Sequence, residues 1–405
     1  MGALTGCRLP RPRPDRSTGS LHPPLMTQHR IVVLGGGRVG SAIAVDLAGS
    51  GLSVTVADRD PAILQRVAGM ADVRTKQADL LDEATVHELA SEADLVVGAV
   101  PGWMGFRTVE RVLRAGRDIV DISFFEEDPF RLDGLAKEQG VRAVVDCGVA
   151  PGLSNLLLGY GETAFDQLET FVCYVGGLPQ DPVEPWCYKA PYSPPDVIEM
   201  YTRPARLRRA GENLTVPALS EPELLTFDGV GTLEAFNTDG LRTPLDTSAV
   251  PNMVEKTLRY PGHRERVELL TTSGFFDAQE RTVGDTRVRP LDLSAALLAD
   301  QWFKTEADLD VTVMRIVLEG TREGSHERWS YDLCDRHHGR DGISSMARTT
   351  GYPCASVARR ILTGGYETPG IAPPEFLGRD VAFFEAILAD LEQRDVTFRV
   401  KKERV

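Results

Sequence analysis

The sequence predicts an α/β protein, with a doubly wound parallel sheet at the N-terminal end and a mixed α+β domain behind it. Three observations carry that prediction. The run Arg30-Ile31-Val32-Val33-Leu34 has buried-strand character and leads straight into Gly35-Gly36-Gly37-Arg38-Val39-Gly40. From Arg30 to Val145, apolar strand-like runs alternate with stretches of helical period, the rhythm of a parallel sheet covered by helices on both faces. Beyond Val145 that rhythm stops and is replaced by longer β-type runs and a few separate helices.

Taken in order, strands are expected at 53–57, 73–77, 95–100, 118–122 and 141–145, with helices at 61–68, 83–90, 108–115 and 131–139. The segment 95–100 is almost wholly apolar, as a central parallel strand must be when both faces are covered. In the second part, strands are expected at 170–175 and 259–260, a helix at 290–303, and a hairpin from 311–318 to 327–333 across Gly320 and Gly324. Helices at 344–362, interrupted by Pro353, and at 380–393 close the chain. The resulting division is 1–28, 29–150, 151–340 and 341–405. Residues 1–28 alternate proline with cation (Arg8-Leu9-Pro10-Arg11-Pro12-Arg13-Pro14) and have no apolar period. They are expected to form a disordered extension, and Met26 just ahead of the first strand fits an overlong start.

Composition bounds the function. A chain of 405 residues holds two sizeable cores. Its formal net charge of −14 argues against nucleic acid or an anionic membrane as main partner. Six scattered cysteines, without a Cys-x-x-Cys pair, give neither a disulfide framework nor metal-ligand spacing, so free thiols in a reducing cytoplasm are expected. Cys334-Asp335-Arg336-His337-His338 holds metal-type ligands, but adjacent histidines point apart and no metal is expected. Cys147 is read as a packing residue, because none of the chemistry below requires a thiol.

Gly35, Gly37 and Gly40 form Gly-x-Gly-x-x-Gly at a strand-to-helix turn, the Rossmann dinucleotide-binding context. Gly35 permits the turn, Gly37 admits a pyrophosphate, and Gly40 lets the helix approach the strand. Arg38 and Val39, between the glycines, belong to the same loop. Asp58 ends the second strand eighteen residues after Gly40, where an acidic group holds a ribose 2′-hydroxyl. A carboxylate there repels a 2′-phosphate, so NAD is expected over NADP, although Arg59 next door suits the phosphate. Asp79, after the third strand, is expected on the adenine side or as a helix-start acid. Val100-Pro101-Gly102 ends the fourth strand, where open α/β sheets place ligands.

The blocks Asp94–Gly102, Ala115–Phe124 (with Ser123) and Asp146–Asn155 resemble the saccharopine dehydrogenase-like superfamily. The resemblance continues through Gly176–Pro179, Tyr188-Lys189, Gly231–Arg242, Thr257–His263 and Met346–Pro353, nearly the whole chain after residue 29. Within that superfamily the chain looks most like the lysine 6-dehydrogenases, on the block Asn237–Arg242 above all. The resemblance implies a Rossmann domain followed by a substrate and oligomerisation domain, C-terminal helices packing back on the first domain, and a homo-oligomer. It implies NAD-linked oxidative deamination of the L-lysine ε-amine to 2-aminoadipate 6-semialdehyde, which cyclises, and ammonia. The alternative within the fold is an L-glutamate-forming saccharopine dehydrogenase, which needs additional arginines for a dicarboxylate, and Arg203, Arg206, Arg208 and Arg209 offer them. A non-catalytic NAD-binding sensor is the alternative outside enzymology.

Oxidising an amine requires a free nitrogen lone pair, and a lysine ammonium has a pKa of about 10.4, so a base or a desolvating pocket is needed. Lys189 follows the aromatic stretch Trp186-Cys187-Tyr188. Desolvated there, it is a candidate base, and exposed, it is a surface lysine. Tyr188 is a pocket wall, hydroxyl donor or core aromatic. Asp239 and Arg242 share a Gly-bearing loop, one suited to a cation and the other to a carboxylate, or they form a solvated turn pair. His263, in the turn after Pro261-Gly262, is a candidate base or an exposed histidine. Gly152, Ser154 and Asn155 open a helix after the last parallel strand, and their amides are expected to face nicotinamide or a substrate carboxylate, unless Ser154 or Asn155 caps that helix.

Overall fold

The computed structural model describes residues 29–190, 194–305, 307–339 and 342–405, so the expectation for 1–28 falls outside the described residues. The first unit runs β1 (Arg30–Leu34), α1 (Arg38–Gly49), β2 (Ser53–Asp58), α2 (Pro61–Met70), β3 (Arg74–Gln77), α3 (Glu83–Ser91), β4 (Leu95–Gly98), α4 (Gly102–Arg114), β5 (Asp118–Asp121), α5 (Asp133–Gln139) and β6 (Arg142–Val144). These strands pair in parallel in the order β6-β5-β4-β1-β2-β3, the Rossmann order with its reversal between β1 and β4. Helix α4 starts at Gly102 rather than at 108, because Pro101 fits the position just ahead of a first turn.

The second unit begins with α6 (Leu153–Ala164), β7 (Gln167–Pro179), α7 (Pro194–Thr202), β8 (Ala205–Arg209), β9 (Glu212–Val216), β10 (Glu223–Phe227), β11 (Gly231–Asn237), α8 (Pro244–Thr247), β12 (Asn252–Arg259) and α9 (His263–Thr272). It continues with the small hairpin β13 (Arg281–Val283) and β14 (Thr286–Val288), then α10 (Pro290–Trp302), β15 (Asp310–Arg322) and β16 (Ser325–Arg336). The end of the chain is α11 (Ser345–Leu362), β17 (Gly370–Ile371), α12 (Pro374–Gly378), α13 (Val381–Glu392) and β18 (Phe398–Arg404). A mixed sheet orders β10-β11-β12-β7-β15-β16-β18, with β8 and β9 attached at β12.

The last quarter returns to both sheets. β17 pairs in parallel with β6 and extends the nucleotide-type sheet, while β18 pairs with β16 at the edge of the second. Helices α6, α11 and α13 lie in one apolar layer that joins β1, β2 and β4 to β7, β15 and β16, and the Tyr160 ring stacks on Phe384 at 4.0 Å. Pro353 sits inside α11 without breaking it. One lost hydrogen bond is outweighed where most of the helix is buried. Arg359 of α11 donates to Asp46 of α1 at 2.6 Å, so the glycine-loop helix is pinned from behind.

Candidate active site

The loop after β1 is built for a ligand that needs backbone, not side chains. Gly35 has φ +102° and a Cβ there would lie 2.4 Å from the Ala99 carbonyl oxygen, while a Cβ on Gly40 would lie 2.0 Å from that of Gly35. Gly37 is different. It precedes α1, and a Cβ there would meet nothing within 4 Å. Open space over a helix N-terminus is where a pyrophosphate fits. The Gly36 N–H donates to Asp58 Oδ2 at 2.8 Å and the Asp60 N–H to Oδ1 at 2.9 Å, which fixes the Asp58 carboxylate beside the loop. These residues fit a dinucleotide.

Its flanking positions divide. The Arg38 guanidinium does not stay on the loop. It donates to the Lys304 carbonyl of the second unit and lies over the Phe303 ring, 5.9 Å from its centroid. Its side chain joins the two units. Val39 packs into the core beside Gly351 of α11. Asp79 is exposed and accepts the Leu81 N–H at 3.0 Å, as a turn residue does. Val100 and Pro101 lead into Gly102, whose missing Cβ would lie 2.3 Å from the Phe124 carbonyl oxygen. Ser123 is buried and donates from Oγ to the Val100 carbonyl at 3.0 Å, so its hydroxyl braces the two loops instead of facing a ligand.

Asp239 and Arg242 are neither a turn pair nor free receptors. Asp239 is held by Arg206, with Nε to Oδ1 at 2.9 Å and Nη2 to Oδ2 at 3.0 Å. Arg242, with φ +54°, reaches into the first unit. Its Nε donates to both oxygens of Asp146 at 2.8 Å and its Nη1 to the Phe125 carbonyl at 2.6 Å. Each found a partner that sequence spacing does not show, because Arg206 and Asp146 come from other elements. The Phe124 ring, in the loop after β5, lies under the Arg242 guanidinium at 4.5 Å and near that of Arg203 at 6.0 Å.

The aromatic expectation is corrected more sharply. Lys189 is engaged at a helix end. Its Nζ donates to the carbonyls of Gln301 at 3.3 Å and Phe303 at 3.2 Å, where it meets the C-terminal end of α10, the cation's usual place on a helix. Tyr188 is a buried wall, its ring 5.0 Å from His263 and 5.5 Å from Trp302, with the Arg259 guanidinium 4.5 Å above it. His263 is fully buried, not exposed. Its Nδ1 faces the Trp186 carbonyl at 2.9 Å and so carries the proton, leaving Nε2 to accept from Tyr201 at 3.0 Å. Burial, with the Arg259 charge adding to it, pushes this imidazole down to about 3. A group held neutral and doubly hydrogen-bonded is no base near neutral pH.

Gly152 has φ +139°, and a Cβ there would lie 1.9 Å from the Gly148 carbonyl oxygen, so the turn before α6 admits only glycine. Ser154 and Asn155 do not cap α6, which has no side-chain cap bond. Ser154 donates to Asn155 Oδ1 at 2.9 Å, and Asn155 donates to Glu375 at 3.4 Å. Both are buried in a brace between α6 and α12.

Sequence reasoning passed over β12. Strand geometry puts Glu255, Thr257 and Arg259 on one face, and all three are buried. Thr238 donates to Glu255 Oε2 at 2.6 Å and shares a hydrogen bond with Thr257 at 2.8 Å, while Arg259 donates to the Tyr201 hydroxyl at 2.9 Å. A row of buried polar groups on a strand is costly unless something uses it. Burial pushes the Glu255 carboxyl up to about 8, with the neighbouring Asp239 charge adding to the rise against Thr238 and Arg259. Polar residues at 255, 257 and 259 share a face, but Lys256 between the first two breaks the period-two alternation that marks a strand.

A parallel nucleotide sheet clasped to a mixed sheet, with a buried polar row beside the seam, defines a two-domain dehydrogenase architecture. Comparison with known families narrows it. The family model of the saccharopine dehydrogenase NADP binding domain matches residues 31–144, and that of the saccharopine dehydrogenase C-terminal domain matches residues 148–396. The chain belongs to the saccharopine dehydrogenase family, and its first unit is a pyridine-nucleotide-binding domain. It is 23% identical to an L-glutamate-forming, NADP(+) saccharopine dehydrogenase of Pyricularia oryzae, over 86% of this chain and 94% of that one. It is 21% identical to the mitochondrial alpha-aminoadipic semialdehyde synthase of Rattus norvegicus, over 86% of this chain but 46% of that one. The apo saccharopine dehydrogenase (L-Glu forming) of Saccharomyces cerevisiae shares the fold, with a TM-score of 0.77 at 21% identity, covering 93% of this chain and all of that one.

Proposed function

We propose that this saccharopine dehydrogenase-type oxidoreductase oxidises the carbon–nitrogen bond at the ε-position of L-lysine with NAD, giving the semialdehyde and ammonia. A bound nicotinamide supplies the hydride acceptor; the chain's own residues supply position and proton handling. Asp58, already fixed by two backbone N–H groups, favours a ribose diol over a 2′-phosphate. The clasps from Arg38 and Arg242 hold the second unit over the carboxyl ends of the parallel strands.

One observation favours lysine over a substrate with an additional dicarboxylate. The four arginines that such a substrate would call on are all engaged within the chain: Arg203 by Glu199, Arg206 by Asp239, Arg208 by Asn213 and two carbonyls, and Arg209 by Glu221. Saccharopine stays as the second reading, because relatives matched along nearly their whole length carry that name. A panel of L-lysine, saccharopine and simple diamines with NAD or NADP separates the readings. Reduced nicotinamide from lysine and NAD supports the proposal; glutamate released from saccharopine, with no reaction of lysine, overturns it.

A further inference from the structure

We propose that Glu255 is the base that takes the proton from the substrate's amine nitrogen, the step that frees its lone pair for oxidation. The inference rests on the amine-oxidising reading above. It begins from an oddity of the fold. Glu255 is 5% exposed, yet among the described residues no cation touches its carboxylate. Among the described residues its carboxylate accepts one hydrogen bond, from Thr238 on Oε2, while Oε1 accepts none and is not sealed from solvent. A buried carboxyl is normally paired or bonded on both oxygens, so an oxygen left over is available to a ligand.

The surroundings suit a proton acceptor. Glu255 pairs in register with Cys173 of β7, whose thiol lies near Ser154 at the start of α6, two residues after the Gly152 turn. Gly240 lies directly over the carboxyl, since a Cβ there would stand 2.6 Å from it, and that loop continues into Arg242 at the seam with the parallel strands. The charged and titratable groups around it are Asp239 on the loop, Arg259 farther along β12 and the Cys173 thiol. Asp239 keeps the carboxyl basic; Arg259 and the Thr238 hydroxyl limit the rise. A carboxylate alone is too weak a base for an alkyl ammonium, and burial narrows that gap.

The step balances. The ammonium R–CH2–NH3+ gives one proton to the Glu255 carboxylate, leaving R–CH2–NH2 and a neutral carboxylic acid. As hydride leaves the carbon with its electron pair for the oxidised nicotinamide, the nitrogen lone pair closes the C=N bond of R–CH=NH2+. Water converts that iminium into R–CHO and NH4+. One proton per turnover, the one held on Glu255, passes to solvent.

The test compares wild type with Glu255→Gln in the full chain. The proposal expects kcat to fall by roughly 100-fold or more, with NADH binding by fluorescence within twofold. It also expects the acid limb of the wild-type kcat profile, rising toward pH 8, to vanish. A Glu255→Gln enzyme with kcat within threefold and an unchanged profile overturns it. Thr238→Val removes a bond that favours the carboxylate, so the acid limb should move to higher pH, and a limb that stays in place counts against the proposal even if the glutamine variant does not fold. Infrared difference spectra of wild type between pH 6 and pH 10, without substrate, read the carboxyl directly. Because burial also pushes up the Asp121 and Glu375 carboxyls, a protonated-carboxyl band lost near pH 8 in wild type and missing from Glu255→Gln supports the assignment, and a band unchanged in Glu255→Gln, or absent from wild type, overturns it. If no amine is oxidised by the wild type while that band is present, the functional reading has failed and the titration has not.

Discussion

Removing the Arg242 side chain tests whether the seam between the two sheets is held by a buried charge pair. The Arg242 and Asp146 side chains are 6% and 0% exposed. The guanidinium makes three donor contacts of 2.6 to 2.8 Å with the Asp146 carboxylate and the Phe125 carbonyl. Arg242→Ala leaves the carboxylate buried with its charge uncompensated, and breaking such a pair costs about 3–5 kcal/mol. An exposed pair such as Arg399–Asp228 contributes less than about 1 kcal/mol. The second variant, Asp146→Asn with Arg242→Met, removes both charges and keeps most of the volume. It should recover at least half of the loss, because the expensive species is the lone charge rather than the absent pair. Urea titrations followed by tryptophan fluorescence measure this as a shift in midpoint, with no need for a two-state assumption across two domains. An Arg242→Ala midpoint equal to wild type refutes the reasoning. So does a double variant that falls by the sum of the single ones.

Four further outcomes follow from the same geometry. Gly37→Ala should leave the unfolding midpoint nearly unchanged while weakening dinucleotide binding at least tenfold, since the added methyl meets only the space a pyrophosphate would fill. Gly40→Ala should instead destabilise the fold itself, because its methyl meets the Gly35 carbonyl. Asp58→Ala should weaken NAD binding by roughly 10- to 100-fold, the range for losing a charged hydrogen-bond partner, and raise the NADP-to-NAD affinity ratio; an unchanged ratio removes Asp58 from cofactor selection. His263, held down at about 3 against 6.5 when unfolded, favours proton uptake by the unfolded chain. Its neutral form contributes stability that is complete above pH 6.5 and is lost as pH falls toward 3, on the order of 5 kcal/mol at the limit. His263→Gln should flatten that acid loss, and the wild-type imidazole resonances of His263 should not titrate between pH 5 and pH 8.

Much of the first unit was legible because local signals and tertiary demands coincide there. A strand buried on both faces must be apolar, and the glycine loop must be glycine, so β1, β4, Gly35 and Gly40 declare themselves. The second unit is harder to read. β8 carries Arg206, Arg208 and Arg209, and β18 reads Phe-Arg-Val-Lys-Lys-Glu-Arg. Such charged strands lack an apolar pattern, and lysine on an edge strand discourages pairing with other chains. Their places are set by neighbours distant in sequence. The site follows the same rule. Residue type identified Asp239, Arg242, Lys189 and His263 as chemical candidates, but only folding shows that Arg206, Asp146, the end of α10 and Tyr201 have already engaged them. Glu255 escaped notice for the opposite reason. In the sequence only 259–260 has strand character, and Lys256 interrupts the alternation of Glu255 with Thr257 and Arg259.

Oxidation of the ε-amine of free lysine with NAD is the proposal most open to a direct test. The most direct measurement supplies L-lysine labelled with nitrogen-15 at the ε-position and follows NADH absorbance together with labelled ammonium by NMR. One labelled ammonium and one cyclic imine are expected for each NADH formed. No NADH from lysine, with saccharopine instead yielding reduced nicotinamide and glutamate, would contradict it.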